Sequence, residues 1–138
     1  MALTDYSSLE EKIEDAPEPE ILPKGTEAKL RIISVRTGED KNDLRYFMPV
    51  YDIPDEPLAS EFSDFFYDLV ELDKMDEKAQ ARALRKFKNF AKAFDLDLSQ
   101  PFDLEDDLTG KTGWAILGVR KSEEYGDQNS VSKYIQGS

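Results

Sequence analysis

The sequence contains no cysteine and no histidine, and each absence excludes a class of chemistry. Without cysteine the chain has no disulfide framework, no thiolate metal site and no cysteine nucleophile. Without histidine it lacks the side chain that most often acts as a general base or a metal ligand near neutral pH. We therefore expect no catalytic residues, no metal and no cofactor, and we predict a binding protein rather than an enzyme.

Long apolar runs are also missing, since hydrophobic residues occur in stretches of only a few positions. A helix that crosses a membrane needs about 20 of them. The first five residues, MALTD, lack the basic and apolar regions of a signal peptide. These features predict a cytoplasmic protein with no membrane partner. The length of 138 residues is that of one ordinary domain.

Negative charge dominates the chain but is unevenly distributed. The formal net charge of -12 argues against nucleic-acid binding, because contacts to phosphates need local positive charge. However, residues 1–20 hold seven acids and one base, a net of -6, whereas residues 76–94 hold six bases and two acids, a net of +4. We interpret residues 1–20 as an acidic arm, either disordered or helical over 7–14, and residues 21–136 as the domain, which keeps a basic patch.

Alternating apolar positions and β-branched residues predict strands over 28–36, 44–51, 61–67, 114–121 and 130–135. Pro49 lies inside the second of these and favours a sheet edge or a bulge there. Helical spacing of apolar residues predicts one long helix that begins at Asp73 or Asp76 and ends near Phe94. Five strands with a helix after the third indicate a mainly β domain, specifically an OB-like barrel. An α+β sheet covered by one helix is the competing arrangement.

Two acidic patterns could suggest metal chemistry. Residues 103–107 lack the order of a calcium-binding loop, including its central glycine, and read as a solvated loop. Pro54-Asp55 followed by residues 76–78 (DEK) loosely resembles a metal-dependent nuclease signature. That chemistry needs carboxylates and a lysine that converge on adjacent strands, whereas Asp76 lies at a helix start, where capping accounts for it. A nuclease is therefore a minor hypothesis, which an assay with magnesium tests.

The predicted strands interleave cations with aromatic rings, as a protein that binds single-stranded nucleic acid requires. Alternation places Arg45, Phe47 and Tyr51 on one face of the second strand. Any single ring is most often part of the core, so the combination across neighbouring strands is what favours binding. The predicted interface comprises Phe47, Tyr51 and Trp114 for stacking, Arg31, Arg36, Arg45 and Arg120 for phosphate contacts, and Lys29, Lys121 and Lys133 as further cations.

Four short segments occur in an order that resembles a known family. Residues 22–25 (LPKG) precede the first strand, residues 90–94 (FAKAF) end the helix, residues 108–111 (LTGK) lead into a strand, and residues 124–131 (EYGDQNSV) precede the last strand. They resemble small phage-encoded single-stranded DNA-binding proteins of replication and recombination gene clusters. Over residues 21–135 the resemblance implies an OB-like fold and non-sequence-specific binding of single-stranded DNA. It further implies phage or host replication and recombination proteins as partners, in the host-cell cytoplasm.

The chain departs from such proteins in the position of its acidic segment. They often carry an acidic tail at the C-terminus that recruits partners, whereas here the acids lie in residues 1–20. The arm could recruit a partner, or it could lie over the basic groove and compete with DNA. A second functional hypothesis also stays open, in which the protein is an acidic protein–protein adaptor or a DNA mimic that occupies a basic cleft of a host protein.

Overall fold

A computed structural model of the chain describes residues 2–136, and Met1 of the predicted arm lies outside these residues. In chain order the helices and strands are α1 Glu10–Glu14, β1 Glu27–Glu39, β2 Arg45–Asp52, β3 Phe62–Ser63, β4 Phe66–Tyr67, α2 Glu77–Ala93, β5 Thr112–Ser122 and β6 Gly126–Ile135. Short 3-10 helices, Ser7–Leu9 and Leu69–Lys74, precede α1 and α2. The prediction of a mainly β domain that also contains a helix is confirmed.

The strands form one antiparallel sheet in the order β3-β2-β1-β5-β6, and β4 also pairs with β2. β3 and β6 therefore lie at the two ends of the sheet, and no backbone pairing joins them within residues 2–136. The backbone pairing is that of an open six-stranded sheet, whereas the sequence predicted a five-stranded barrel.

The sixth strand arises because the predicted strand over 61–67 is divided in two. β3 and β4 pair with β2 on either side of Pro49. The carbonyl of Pro49 accepts a hydrogen bond from the Asp64 amide at 3.2 Å, so this side of Pro49 faces the gap between the two short strands. Proline has no amide hydrogen to donate in return. The ladder is therefore interrupted at Pro49, which lies in an interior strand and not at the predicted sheet edge.

The inner face of the sheet follows from the alternation of residues in β1. This strand buries every second residue from Ala28 to Ile32 and exposes the cations between them. A β-bulge between Ile32 and Ser34 shifts the pattern, and the next buried residue is Val35. Buried side chains from β2, β5 and β6 complete this inner face.

Helix α2 covers the inner face with its aromatic side. The Asp76 carboxylate caps the helix by accepting the Ala79 amide at 2.8 Å, and Asp95 ends it with a φ of 54°. The buried residues of α2 are Phe87, Phe90 and Ala91, and Phe94 follows directly. Because these residues recur at helical spacing, they form one face that turns toward the sheet, whereas Leu84 of the same helix is 46% exposed.

The C-terminal end of α2 packs directly on β5, and Gly113 permits this close approach. A Cβ atom at Gly113 would lie only 2.7 Å from the Ala93 carbonyl oxygen and 2.9 Å from the Phe94 ring. Any larger residue would push the helix away from the sheet.

Residues 2–20 lie outside the core, and every one of them is exposed. The arm joins the domain where Glu20 pairs with Ala59. Just beyond, the side chain of Asn129 accepts the Leu22 amide and donates to the Leu22 carbonyl, each at 2.9 Å. Across the part of the chain that the structure describes, no helix has the length and apolar character needed to cross a bilayer.

Candidate nucleic-acid interface

The two rings of β2 that were predicted to stack on bases lie in the core. Phe47 is 2% exposed and Tyr51 is fully buried. Phe47 stacks on Phe66 with centroids 5.1 Å apart, and Tyr51 stacks on Phe94 at 5.8 Å. They do share one face of β2, but that face is the one that α2 covers. The predicted stacking role is therefore corrected, because neither ring presents a face to a ligand.

Arg31 and Arg45, predicted to contact phosphates, are engaged by carboxylates. The Arg31 guanidinium binds both oxygens of Asp52, at 3.0 and 2.5 Å, and this hydrogen bonding raises its pKa. The Arg45 Nε donates to the buried Glu71 at 3.2 Å. A hydrogen bond from Lys74 is the main reason why the pKa of Glu71 lies below its ordinary value. A phosphate would have to compete with these carboxylates.

Arg36 and Arg120, also predicted to contact phosphates, line one polar cleft of about 270 Å³ at the ends of β1 and β5. Glu61 lines the same cleft and contributes a negative charge. Lys121 is exposed next to Arg120, with Asp127 as its cross-strand neighbour. The structure thus brings two predicted arginines together, but with acids close by.

Trp114 and Lys29 are cross-strand partners on the outer face of the sheet. With Lys92 and Asp95 they line a cleft of about 420 Å³, where Trp114 is half-buried. A cation and a partly open ring, both of the predicted set, therefore line one cleft. This cleft shares no residue with the one lined by Arg36 and Arg120.

A second group of cations lies along α2, most of them outside the predicted set. A cleft of about 320 Å³ separates α2 from β4, and a cleft of about 380 Å³ separates α2 from β6. The two clefts share Arg82 and Lys86, so they lie side by side along α2. We call the two together the α2 groove, lined chiefly by Phe65, Tyr67, Arg82, Arg85, Lys86, Asn89 and Lys133.

Lys86 is held in place at the floor of the α2 groove. Its ammonium donates to the Asp64 carboxylate at 2.9 Å and to the Phe65 carbonyl. It also lies 4.7 Å from the centroid of the Phe66 ring, within cation–π distance. These contacts offset much of the Lys86 charge, so the remaining cations must provide most of the attraction for an anion.

A chain of hydrogen bonds connects this floor to the core. Tyr134 donates its hydroxyl to Asp64 at 2.7 Å, and the Tyr51 hydroxyl lies 2.7 Å from that of Tyr134. Because Tyr134 has one hydroxyl hydrogen, Tyr51 is the donor in this second bond. Burial raises the pKa of both tyrosines, which keeps them neutral donors. The chain fixes Asp64, and Asp64 in turn fixes Lys86.

Three cations of the α2 groove face solvent. Arg82, Arg85 and Lys133 are exposed, and within residues 2–136 no carboxylate lies within 4.0 Å of their charged nitrogens. Asp64 is the acid that lines the groove, and it is paired with Lys86. Within residues 2–136, four cations and one carboxylate line the groove, so its formal charge is +3. The net charge of the whole chain is -12.

Partly exposed rings border the same groove. Phe65 lies 4.9 Å from Tyr46 and 5.0 Å from Tyr67, centroid to centroid, and all three are half-buried. The sequence contained a signal for them, because Phe62 and Phe66 face the core and period-two alternation then leaves Phe65 outside. The predicted interface omits these rings because the prediction treats residues 61–67 as one aromatic strand and does not separate its two faces.

One residue of the segments that resemble a nuclease signature has a structural role. This residue is Asp76, which caps α2. Within residues 2–136, no group of three or more acids is placed to hold a metal ion.

Comparison with known proteins identifies no function for this chain, so the function is inferred from the geometry of the site. No protein-family model matches the chain, and no curated protein matches it. The resemblance to phage single-stranded DNA-binding proteins stays a prediction from four short segments.

Proposed function

We propose that the protein binds single-stranded DNA without sequence specificity, and that the α2 groove is its main contact surface. The observation that carries this proposal is the juxtaposition of three exposed cations, Arg82, Arg85 and Lys133, with the half-buried rings of Phe65 and Tyr67. Cations that follow a groove attract the phosphate backbone, and rings beside them provide surfaces on which bases stack.

The rings favour a single strand over a duplex. In a duplex the faces of the bases are stacked inside the helix, whereas a single strand can turn them outward onto Phe65 or Tyr67. Stacking tolerates every base, because each base has a π-face. This chemistry accounts for binding without sequence specificity.

We also propose that the domain is related to the OB-like barrels that the resemblance implies. The support is indirect: Tyr134 of β6 reaches Asp64, between β3 and β4, and so links the two ends of the sheet through side chains. A role in phage replication or recombination, with protein partners from those processes, follows from the resemblance alone.

Fluorescence anisotropy with labelled oligo-dT at two salt concentrations tests the proposal. We expect micromolar or tighter binding that weakens steeply as salt rises. The double variant Arg82→Ala/Arg85→Ala should bind more weakly, and the slope of log affinity against log salt should fall by about 2, roughly 1 per lost contact. The matched control Lys24→Ala/Lys41→Ala removes two exposed cations that do not line the groove, and it should bind like the wild type.

Two results would reject the proposal. If the control variant loses as much affinity as the groove variant, net charge rather than the groove governs binding. If the wild type binds no single strand even at low salt, the adaptor or DNA-mimic hypothesis takes its place, and its test is direct binding to a basic host protein.

A further inference from the structure

The acidic arm carries an apolar stripe that stays exposed in the described part of the chain, residues 2–136. Leu3, Tyr6, Leu9 and Ile13 are all exposed, Leu3 by 91% and Ile13 by 55%. They recur every three or four residues, so the helical part of the arm presents Leu9 and Ile13 on one face. A helix this short is marginal in water unless its apolar face packs on another surface.

An apolar groove of matching character lies beside the C-terminal half of α2. It has a volume of about 420 Å³, and two leucines of its lining, Leu84 and Leu98, are 46% and 53% exposed. We call it the leucine groove, and its lining includes Leu69, Leu84, Phe87, Leu96 and Leu98. It shares no residue with the α2 groove.

We propose that the arm of one molecule docks in the leucine groove of a second copy of this chain. The apolar stripe of the arm fits the apolar lining, and the charges are complementary. Residues 1–20 have a net charge of -6, with Glu10 and Glu14 beside Ile13. Lys88 and Lys92 belong to the groove, against one acid, Asp95.

The position of the arm favours a second copy over the molecule's own groove. No residue of 2–20 lines the leucine groove in its own molecule, and all of these residues are exposed. Leu84 and Leu98 also stay 46% and 53% exposed there. The arm of a second copy would cover both apolar surfaces at once.

Each molecule then provides one arm and one groove. Such a contact closes a dimer when two molecules exchange arms, or adds further molecules in series when they do not. Because the two grooves share no residue, the contact leaves the α2 groove open. The inference is therefore independent of the proposed DNA binding, and it is tested without DNA.

A complementation experiment tests the contact directly. One variant lacks residues 2–16 and keeps the groove, and the other carries Leu84→Asp/Leu98→Asp and keeps the arm. By light scattering across a concentration series, the full chain should increase in mass, while each variant alone should stay at the mass of one chain. Their equimolar mixture should form a complex of two chains and stop there, because no free arm and free groove remain to pair.

Three further variants separate a specific contact from nonspecific hydrophobic association or misfolding. Tyr125→Asp places an acid at a side chain that is 72% exposed in the β5–β6 turn, and it should assemble like the full chain. Lys88→Glu/Lys92→Glu should weaken assembly at low salt, and a partner with Glu10→Lys/Glu14→Lys should restore it. Circular dichroism checks that every variant is folded.

The proposal is overturned if the full chain keeps the mass of one molecule at every concentration, which is the result expected when an arm occupies its own groove or none. It is also overturned if the two folded complementation variants form no complex, or if charge reversal on the arm does not restore assembly.

Discussion

Aromatic side chains occupy two regions of this molecule at the same packing distance but in different surroundings. In the core, Phe90 and Phe94 lie 4.9 Å apart, and beside the α2 groove Tyr46 and Phe65 also lie 4.9 Å apart. The core rings lie between α2 and the sheet, whereas the groove rings keep part of their surface open next to cations. Ring contact alone therefore does not reveal a binding surface, and coverage by the helix decides which rings stabilise the fold and which can contact a ligand.

The largest difference should appear when a core ring is removed. Phe90→Ala deletes a fully buried side chain that contacts Phe47, Phe66 and Tyr134, and it should lower the free energy of unfolding by about 3–5 kcal/mol. Urea denaturation measures this loss. Phe102→Ala, at a ring that is 40% exposed, should change stability by no more than about 0.5 kcal/mol. Equal losses in the two variants would contradict the distinction.

Removal of a groove ring should affect binding instead. Phe65→Ala is expected to weaken oligo-dT binding by about 1–3 kcal/mol, because a stacking surface is lost. Trp114→Ala is the matched comparison, since Trp114 is also half-buried but lines a separate cleft. If Trp114→Ala weakens binding more than Phe65→Ala does, the main interface lies on the outer face of the sheet, as the sequence had predicted for Trp114.

A smaller effect on stability should follow when a single hydroxyl group is removed from the core. Tyr51→Phe removes one hydrogen bond to Tyr134 and leaves the bond from Tyr134 to Asp64 in place. We expect a loss of about 0.5–1.5 kcal/mol in the free energy of unfolding, with oligo-dT affinity unchanged. The exposed Tyr125 provides the control, because Tyr125→Phe removes a hydroxyl at the surface. A loss of DNA affinity in Tyr51→Phe would mean that the core network also shapes the groove.

The smallest effect should be the loss of stability that follows when the pH is lowered. The hydrogen bond from Lys74 is the first cause that lowers the pKa of Glu71 in the folded protein. The ionised Glu71 therefore stabilises the folded protein above the pKa of an unfolded glutamate, roughly 4.3. This stabilisation is lost as pH falls through the lower pKa that Glu71 has in the folded protein. The urea midpoint should drop as pH falls below about 4.3, and Glu71→Gln should show a smaller drop. Glu18→Gln, in the exposed arm, should behave like the wild type; a smaller drop there would contradict this assignment.

Local sequence patterns predicted well those strands whose formation depends on residues close together in the chain. The strand expected over 28–36 is part of β1, and the one expected over 114–121 is part of β5, because alternation is a local property. The strand expected over 61–67 is interrupted because of Pro49 in another strand. The stacking role predicted for Phe47 failed for a related reason: alternation identifies one face of a strand, but not which face a helix covers.

The sequence by itself determined the class of elements, the segregation of acids into the arm and the basic character of α2, since these depend on residue type and local spacing. Only the tertiary structure decided which charges and rings meet. Arg82 and Lys133 are far apart in the chain and line one cleft because α2 packs beside β6. Arg31 and Arg45 have the same chemistry as Arg82, but the packing of neighbouring segments places Asp52 and Glu71 against them.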